Sequence, residues 1–193
     1  MEIIENQEMT PSQKFENYMT LAEFFTKKNA YAEVIHWTHK AIENMDQEDE
    51  ASKFVVYSNL ADHYSKVDDH KSAIESLKKA LEIIKQYSGI DKNIGKLYTK
   101  IAEEYLKESQ LKDAIETYLE GKAYFNKIGD RESAISNQFE SCKILLKMNQ
   151  QEGIKCLEEA RELAAEYLGE YSTLTSSITG YLRYQQKQFA PKK

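Results

Sequence analysis

Proline is nearly absent from this chain. Among 193 residues there are two, Pro11 and Pro191, so the long stretch between them has none. Glycine is sparse as well, with seven in all. A turn-rich β protein needs both at its reversals, so their scarcity argues against that class and for long uninterrupted helices. Cys142 and Cys156 are the only cysteines. Two are too few for a disulfide framework, and they are expected to be buried thiols in a reducing, cytoplasmic setting. No apolar run approaches the ~20 residues that span a bilayer. The N-terminal MEIIENQEMT is acidic and lacks the basic-then-apolar order of a secretory signal. A basic excess is missing too: the formal net charge of −6 argues against a general nucleic-acid binder. Catalytic vocabulary is equally thin. There is no HExxH or CxxC pattern, no glycine-rich phosphate loop and no Gly-x-Ser-x-Gly elbow. His36, His39, His63 and His70 lack further ligands at metal spacing and are expected on the surface or in inter-helix packing. No catalytic residue, metal site or cofactor is expected, and the chain reads as a non-enzyme.

What the chain has is repetition. The stretch Val55–Ile84 reads as two amphipathic helices joined by a short polar turn, with Tyr57, Leu60, Ala61, Tyr64, Ala73, Leu77 and Ala80 at helical spacing. Small side chains let helix backbones approach, so the alanines mark the crossing while Tyr57, Tyr64 and Leu77 fill the space around them. The same slots recur 39 residues earlier as Tyr18, Leu21, Ala22 and Phe25, with Val34 and Ala41 on the second helix. They recur 41 residues later as Tyr98, Ile101, Ala102, Tyr105, Ala114, Tyr118 and Gly121. A fourth copy keeps Gly153, Leu157 and Ala160, but its first helix (Ile135, Phe139, Cys142, Leu145, Leu146) is about one residue out of register. Leu174, Ile178, Tyr181 and Leu182 then mark a ninth helix.

This aromatic, small and apolar spacing resembles that of the tetratricopeptide (TPR) hairpin, with a period nearer 40 than the usual 34 residues. The expected fold is all-α: a right-handed α-solenoid of about four long TPR-like hairpins plus a C-terminal capping helix, about nine helices in total. The predicted hairpins cover about 11–45, 50–87, 91–127 and 130–168, with the capping helix over about 171–186. They form one domain over 10–185, between a flexible N-terminus (1–9) and a flexible tail (186–193). Thr10-Pro11-Ser12-Gln13 has the form of a capping box with proline at the first helical position. Gly89 with Asp91, and Gly129 with Asp130, read as a helix stop followed by a new N-cap.

The surface carries the functional expectation. In a TPR stack the first helix of each hairpin lines the concave groove. The residue after each small slot is Glu23, Asp62 or Glu103, and four residues on come Lys27, Lys66 and Lys107. Glu then Lys at i, i+4 is also an ordinary helix-stabilising pair worth ~0.2–0.5 kcal/mol. Read functionally, the two rows are acidic and basic rails suited to a helical or extended, mixed-charge segment of a protein or peptide partner.

From about Ser52 to Ala165 the chain resembles the middle of the soluble NSF attachment protein (SNAP) family. The resemblance is carried by Ile101-Ala102-Glu103-Glu104-Tyr105, by Ala114-Ile115-Glu116 and by Ser136-Asn137 leading into Lys143. It implies a cytosolic vesicle-trafficking adaptor that binds a SNARE helical bundle along its concave face, recruits a hexameric ATPase and reaches membranes through its partner. Two alternatives stand beside it. One is a bacterial-type TPR regulator that binds a signalling peptide or a partner regulator. The other is a structural subunit whose rails are inter-subunit contacts.

Overall fold

The structure is a computed structural model that describes residues 9–45, 50–87, 89 and 91–189. Among these residues lie nine α-helices and no strand: α1 (Pro11–Thr26), α2 (Tyr31–Ile42), α3 (Glu50–Lys66), α4 (His70–Tyr87), α5 (Lys92–Lys107), α6 (Leu111–Lys127), α7 (Arg131–Met148), α8 (Gln150–Leu168) and α9 (Thr173–Phe189). The fold is the expected all-α helical repeat. Residues 1–8 and 190–193, parts of the expected termini, lie outside the described set. α9 continues past the expected end near 186 to Phe189, because no helix breaker precedes Pro191.

Local chemistry sets the helix boundaries. Gln13 N–H donates to Thr10 Oγ1 at 3.3 Å while Thr10 N–H donates to Gln13 Oε1 at 2.9 Å, the reciprocal capping box. Asp91 and Asp130 cap α5 and α7 by accepting from the N–H groups of Asn93 (2.8 Å) and Ser133 (3.1 Å). Each of the first three hairpins turns through one residue in the left-handed region: Asn29 (φ 54°), Asp68 (φ 59°) and Ser109 (φ 59°). In each, the next N–H reaches back five residues: Ala30 to Phe25 O (3.1 Å), Asp69 to Tyr64 O (3.0 Å) and Gln110 to Tyr105 O (2.9 Å). The turn repeats as faithfully as the packing slots, and it satisfies carbonyls that a helix end would otherwise leave unpaired.

The chain forms two compact units, Met1–Gly89 and Ile90–Lys193. In the first, α1 pairs with α2, α2 with α3 and α3 with α4. The slot residues Tyr18, Ala22, Val34, Ala41, Leu60, Ala61, Ala73, Leu77 and Ala80 are all buried there. Trp37 of α2 stacks on Tyr18 of α1 with ring centroids 5.8 Å apart. In the second unit, Ala102, Ala114 and Tyr118 close a core with Ile144. A second core joins Phe139, Cys142, Leu157, Ala160, Ile178 and Leu182 across α7, α8 and α9.

The fourth hairpin departs from the others for a local reason. A single residue, Asn149, separates α7 from α8, and it has extended backbone (φ −144°) in place of the left-handed turn. That shortening accounts for the one-residue slip of α7. It puts Cys142 in the small-residue slot, fully buried, and draws Gly153 of α8 onto the Leu146 backbone of α7. The expectation of two buried free thiols is corrected here. Cys142 and Cys156 face each other across the hairpin with a Cα–Cα distance of 5.4 Å and are joined as a disulfide. The cysteines therefore give no support to a reducing compartment.

Candidate functional site

In the first unit the facing surfaces of α1 and α3 enclose a cleft of about 430 Å³. Its base is apolar and small: Ala22 and Val56 are buried, Met19 lies beside them and Thr38 of α2 closes the floor. Glu23 and Lys27 stand on the α1 side, Asn59, Asp62 and His63 on the α3 side. Three of the four rail residues expected in this unit therefore line one cavity: Glu23, Lys27 and Asp62. Lys66 is exposed one turn beyond Asp62, at the last residue of α3, and is not among the lining residues.

Helix geometry explains the grouping. Ala22 and Ala61 face inward at the helix crossings, so the residues that follow them, Glu23 and Asp62, emerge on the open side of their helices. Lys27, the C-cap of α1, carries its charge at the mouth of the cleft.

His63 stacks on Tyr31, ring centroids 6.0 Å apart. Partial burial lowers its pKa, and the neighbouring Asp62 carboxylate opposes that shift. The imidazole is thus neutral near pH 7. The cleft carries two carboxylates and one ammonium over an apolar floor.

The third rail pair, Glu103 and Lys107, lies on α5 in the second unit. Both are exposed, but Lys107 Nζ pairs at 2.8 Å with Glu104, three residues back, instead of with Glu103. Desolvation raises the pKa of Glu103, Glu140 and Glu104 add to the shift, and Lys107 and Lys100 oppose it. Burial likewise pushes up the phenol of Tyr118, with Glu103 and Glu140 contributing. Around Glu103 the surface is an acid-rich mosaic that includes Glu140, itself paired with Lys143 at 2.7 Å.

Beyond the expected residues and Ala22, the cleft is lined by Met19, Thr26, Thr38, Val56, Asn59 and His63, none of which stood out in the sequence as a site residue. Asn59 and His63 stand four apart on α3, and Glu23 and Lys27 have the same spacing on α1. That i, i+4 polar stripe was the available signal. The other histidines pack against rings and loops: His36 edge-on to Trp37, His39 Nε2 at 2.6 Å from the Tyr64 hydroxyl, and His70 at 3.8 Å from Asp68. Among the described residues no cluster of three or more His, Cys, Asp or Glu is placed to share a metal ion, and no helix is long and apolar enough to cross a membrane.

Comparison with known proteins agrees with the architecture. A tetratricopeptide repeat family model matches residues 52–127, which is α3 to α6. No curated protein sequence matches the chain. Among solved structures it is similar to the putative kinesin light chain of Podospora anserina with nearly identical TPR-like repeats, at 18% identity over 95% of this chain and 91% of that one, TM-score 0.66. It is similar to RapI at 14% identity over 97% of this chain and 53% of that one, TM-score 0.78. It is also similar to aspartyl phosphate phosphatase F of Bacillus subtilis at 14% identity over 92% of this chain and 48% of that one, TM-score 0.65. At these identities the likeness is one of fold, and the chain spans about half the length of the last two.

Proposed function

We propose that this protein is a non-enzymatic interaction adaptor that holds a segment of a partner protein in the cleft between α1 and α3. The observation that carries the reading is the convergence of Glu23, Asp62 and Lys27 on one cleft of about 430 Å³ with an apolar floor. A cavity of that size lies in the range that takes up a compact ligand or the side chains of a short segment. The matching ligand is therefore an extended or helical segment that offers apolar side chains to the floor and both signs of charge to the rim. Lys66 extends the basic rail beyond the cleft, and Glu103 with Lys107 forms a second, separate patch in the other unit. TPR-like scaffolds in general serve protein and peptide binding, which is consistent with this reading.

The finer identities share that surface and differ in what they predict. A SNAP-like SNARE adaptor, supported by the sequence resemblance over 52–165, should co-elute with a four-helix SNARE bundle and would meet membranes only through its partner. A peptide-binding regulator should gain thermal stability from a short peptide by mass action. A structural subunit should self-associate. The test common to all is affinity capture from native cytosol with mass spectrometry, run beside the Lys27→Glu/Lys66→Glu/Lys107→Glu variant. If every partner stays bound to that variant, the rails do not bind.

A further inference from the structure

A second groove lies in the second unit, between α8 and α9. Arg161 of α8, Glu170 and Tyr171 of the connecting loop, and Ser176, Thr179, Gly180 and Arg183 of α9 enclose about 470 Å³. Among the described residues α9 is followed by no further helix, whereas α1, α3, α5 and α7 each pair with the helix after them.

Two features of this groove have no explanation in the protein's own packing. Gly180 sits in the middle of α9, where glycine weakens a helix. The other helical glycines, Gly95, Gly121 and Gly153, each abut a side chain or backbone that a Cβ would strike, but a Cβ on Gly180 would meet nothing within 4 Å. Tyr171 is 98% exposed, an open aromatic surface beside the groove. Between these two, Arg161 Nη2 donates to Glu170 at 3.0 and 2.7 Å to its two carboxylate oxygens. Both partners are solvent-accessible, at 35% and 56% of their side chains, so this ion pair is weak and its carboxylate exchangeable.

We infer that the α8–α9 groove docks an acidic helix of a partner protein. Ser176, Thr179 and Gly180 are small enough for a second helix backbone to come close to α9. Arg183 then meets a carboxylate on the incoming helix, and Arg161 exchanges its Glu170 oxygens for another. Tyr171 covers the side of the docked helix. Glu170 holds Arg161 in the groove and marks the chemistry it accepts. Two guanidinium groups against the single Glu170 carboxylate leave the groove lining with a positive excess in a chain whose formal net charge is −6, the complementarity that selects an acidic partner.

The test uses the full chain and a fluorescein-labelled alanine-based helical peptide with Glu at i, i+4 spacing, read by anisotropy, beside the same peptide with Gln. The Glu peptide should bind at least tenfold more tightly than the Gln peptide and weaken as salt rises. Arg183→Glu should lose at least tenfold. Gly180→Leu should block binding with unchanged helicity, since that position has free space around it. Glu170→Gln should tighten binding several-fold by releasing Arg161. Equal binding of the two peptides, binding of neither, or indifference to both Arg183→Glu and Gly180→Leu overturns the inference. So does an Arg183-dependent dimer in sedimentation without peptide, which would make a second copy the occupant.

Discussion

Replacing Gly153 by alanine is the sharpest probe of the irregular fourth hairpin. In an exposed helix that change would stabilise the chain by up to about 1 kcal/mol. Here the new Cβ falls against Leu146: it would overlap the Leu146 Cα and lie 2.5 Å from its N and 2.6 Å from its Cβ. The obstacle is backbone, which no rotamer change can move. Overpacking of a core costs about 1–3 kcal/mol, and a backbone obstacle belongs at the upper end. Net of the helix gain, Gly153→Ala should lose about 2 kcal/mol. With a urea slope of about 1–3 kcal/mol per molar, the midpoint of the second unit's transition falls by about 1 M. Gly180→Ala is the internal control, because its Cβ meets nothing and should stabilise by up to about 1 kcal/mol. Urea titrations followed by circular dichroism, with amide exchange of α7 and α8 to localise the effect, measure both. If Gly153→Ala is as stable as the parent, α7 and α8 do not cross as closely as described and the account of the Asn149 link fails with it.

Three further outcomes follow from particular contacts. Asp130 accepts from Ser133 N–H and pairs with Lys92 at 2.6 Å; burial acts against its carboxylate, but these bonds prevail and hold its pKa below the ordinary value. Its stabilisation is complete above the ordinary carboxylate range and is lost as pH falls through the lowered native value, and Asp130→Ala should cost about 1 kcal/mol from the lost cap, read as a midpoint shift at pH 7. His63 is held neutral by burial; below about pH 6.5 the unfolded chain takes up a proton that the native state resists, so the first unit weakens on acidification. Urea curves at pH 7.5 and 5.5, read through the single tryptophan, Trp37, should show this, and His63→Gln should reduce it. The Cys142–Cys156 link closes a separation of 14 residues, which by loop entropy corresponds to about 3 kcal/mol; reduction, or Cys156→Ser, should lower the midpoint accordingly, while an unchanged midpoint together with two alkylatable thiols in the untreated protein would deny the link.

The helices were legible because their slots must hold small or aromatic residues wherever two helices cross, and a short motif of that kind survives in sequence. Caps were legible for a similar reason, since Thr10, Asp91 and Asp130 act on N–H groups two or three residues away. The turns were half hidden. Asn29, Asp68 and Ser109 adopt a backbone that glycine usually supplies; Asn29 and Asp68 are of the types that enter it most readily, whereas Ser109 carries no such signal. The disulfide was hidden for another reason: it depends on Asn149 being a one-residue link, which shifts α7 by a position and puts Cys142 opposite Cys156. At the cleft, Glu23, Lys27 and Asp62 followed from the repeat. Thr38 comes from α2, and only the tertiary packing brings it under them. The choice of Glu104 over Glu103 by Lys107 likewise depends on a side-chain competition that spacing does not resolve.

The central claim is that the cleft between α1 and α3 holds a partner through both signs of charge. That reading is tested most directly by quantitative capture from native cytosol on four baits: the parent chain, Glu23→Lys/Asp62→Lys, Lys27→Glu/Lys66→Glu, and Arg183→Glu as a charge control in the second unit. The same partner should be lost from both cleft variants and kept by the control, with all four baits equally helical. Retention of that partner by both cleft variants would contradict it.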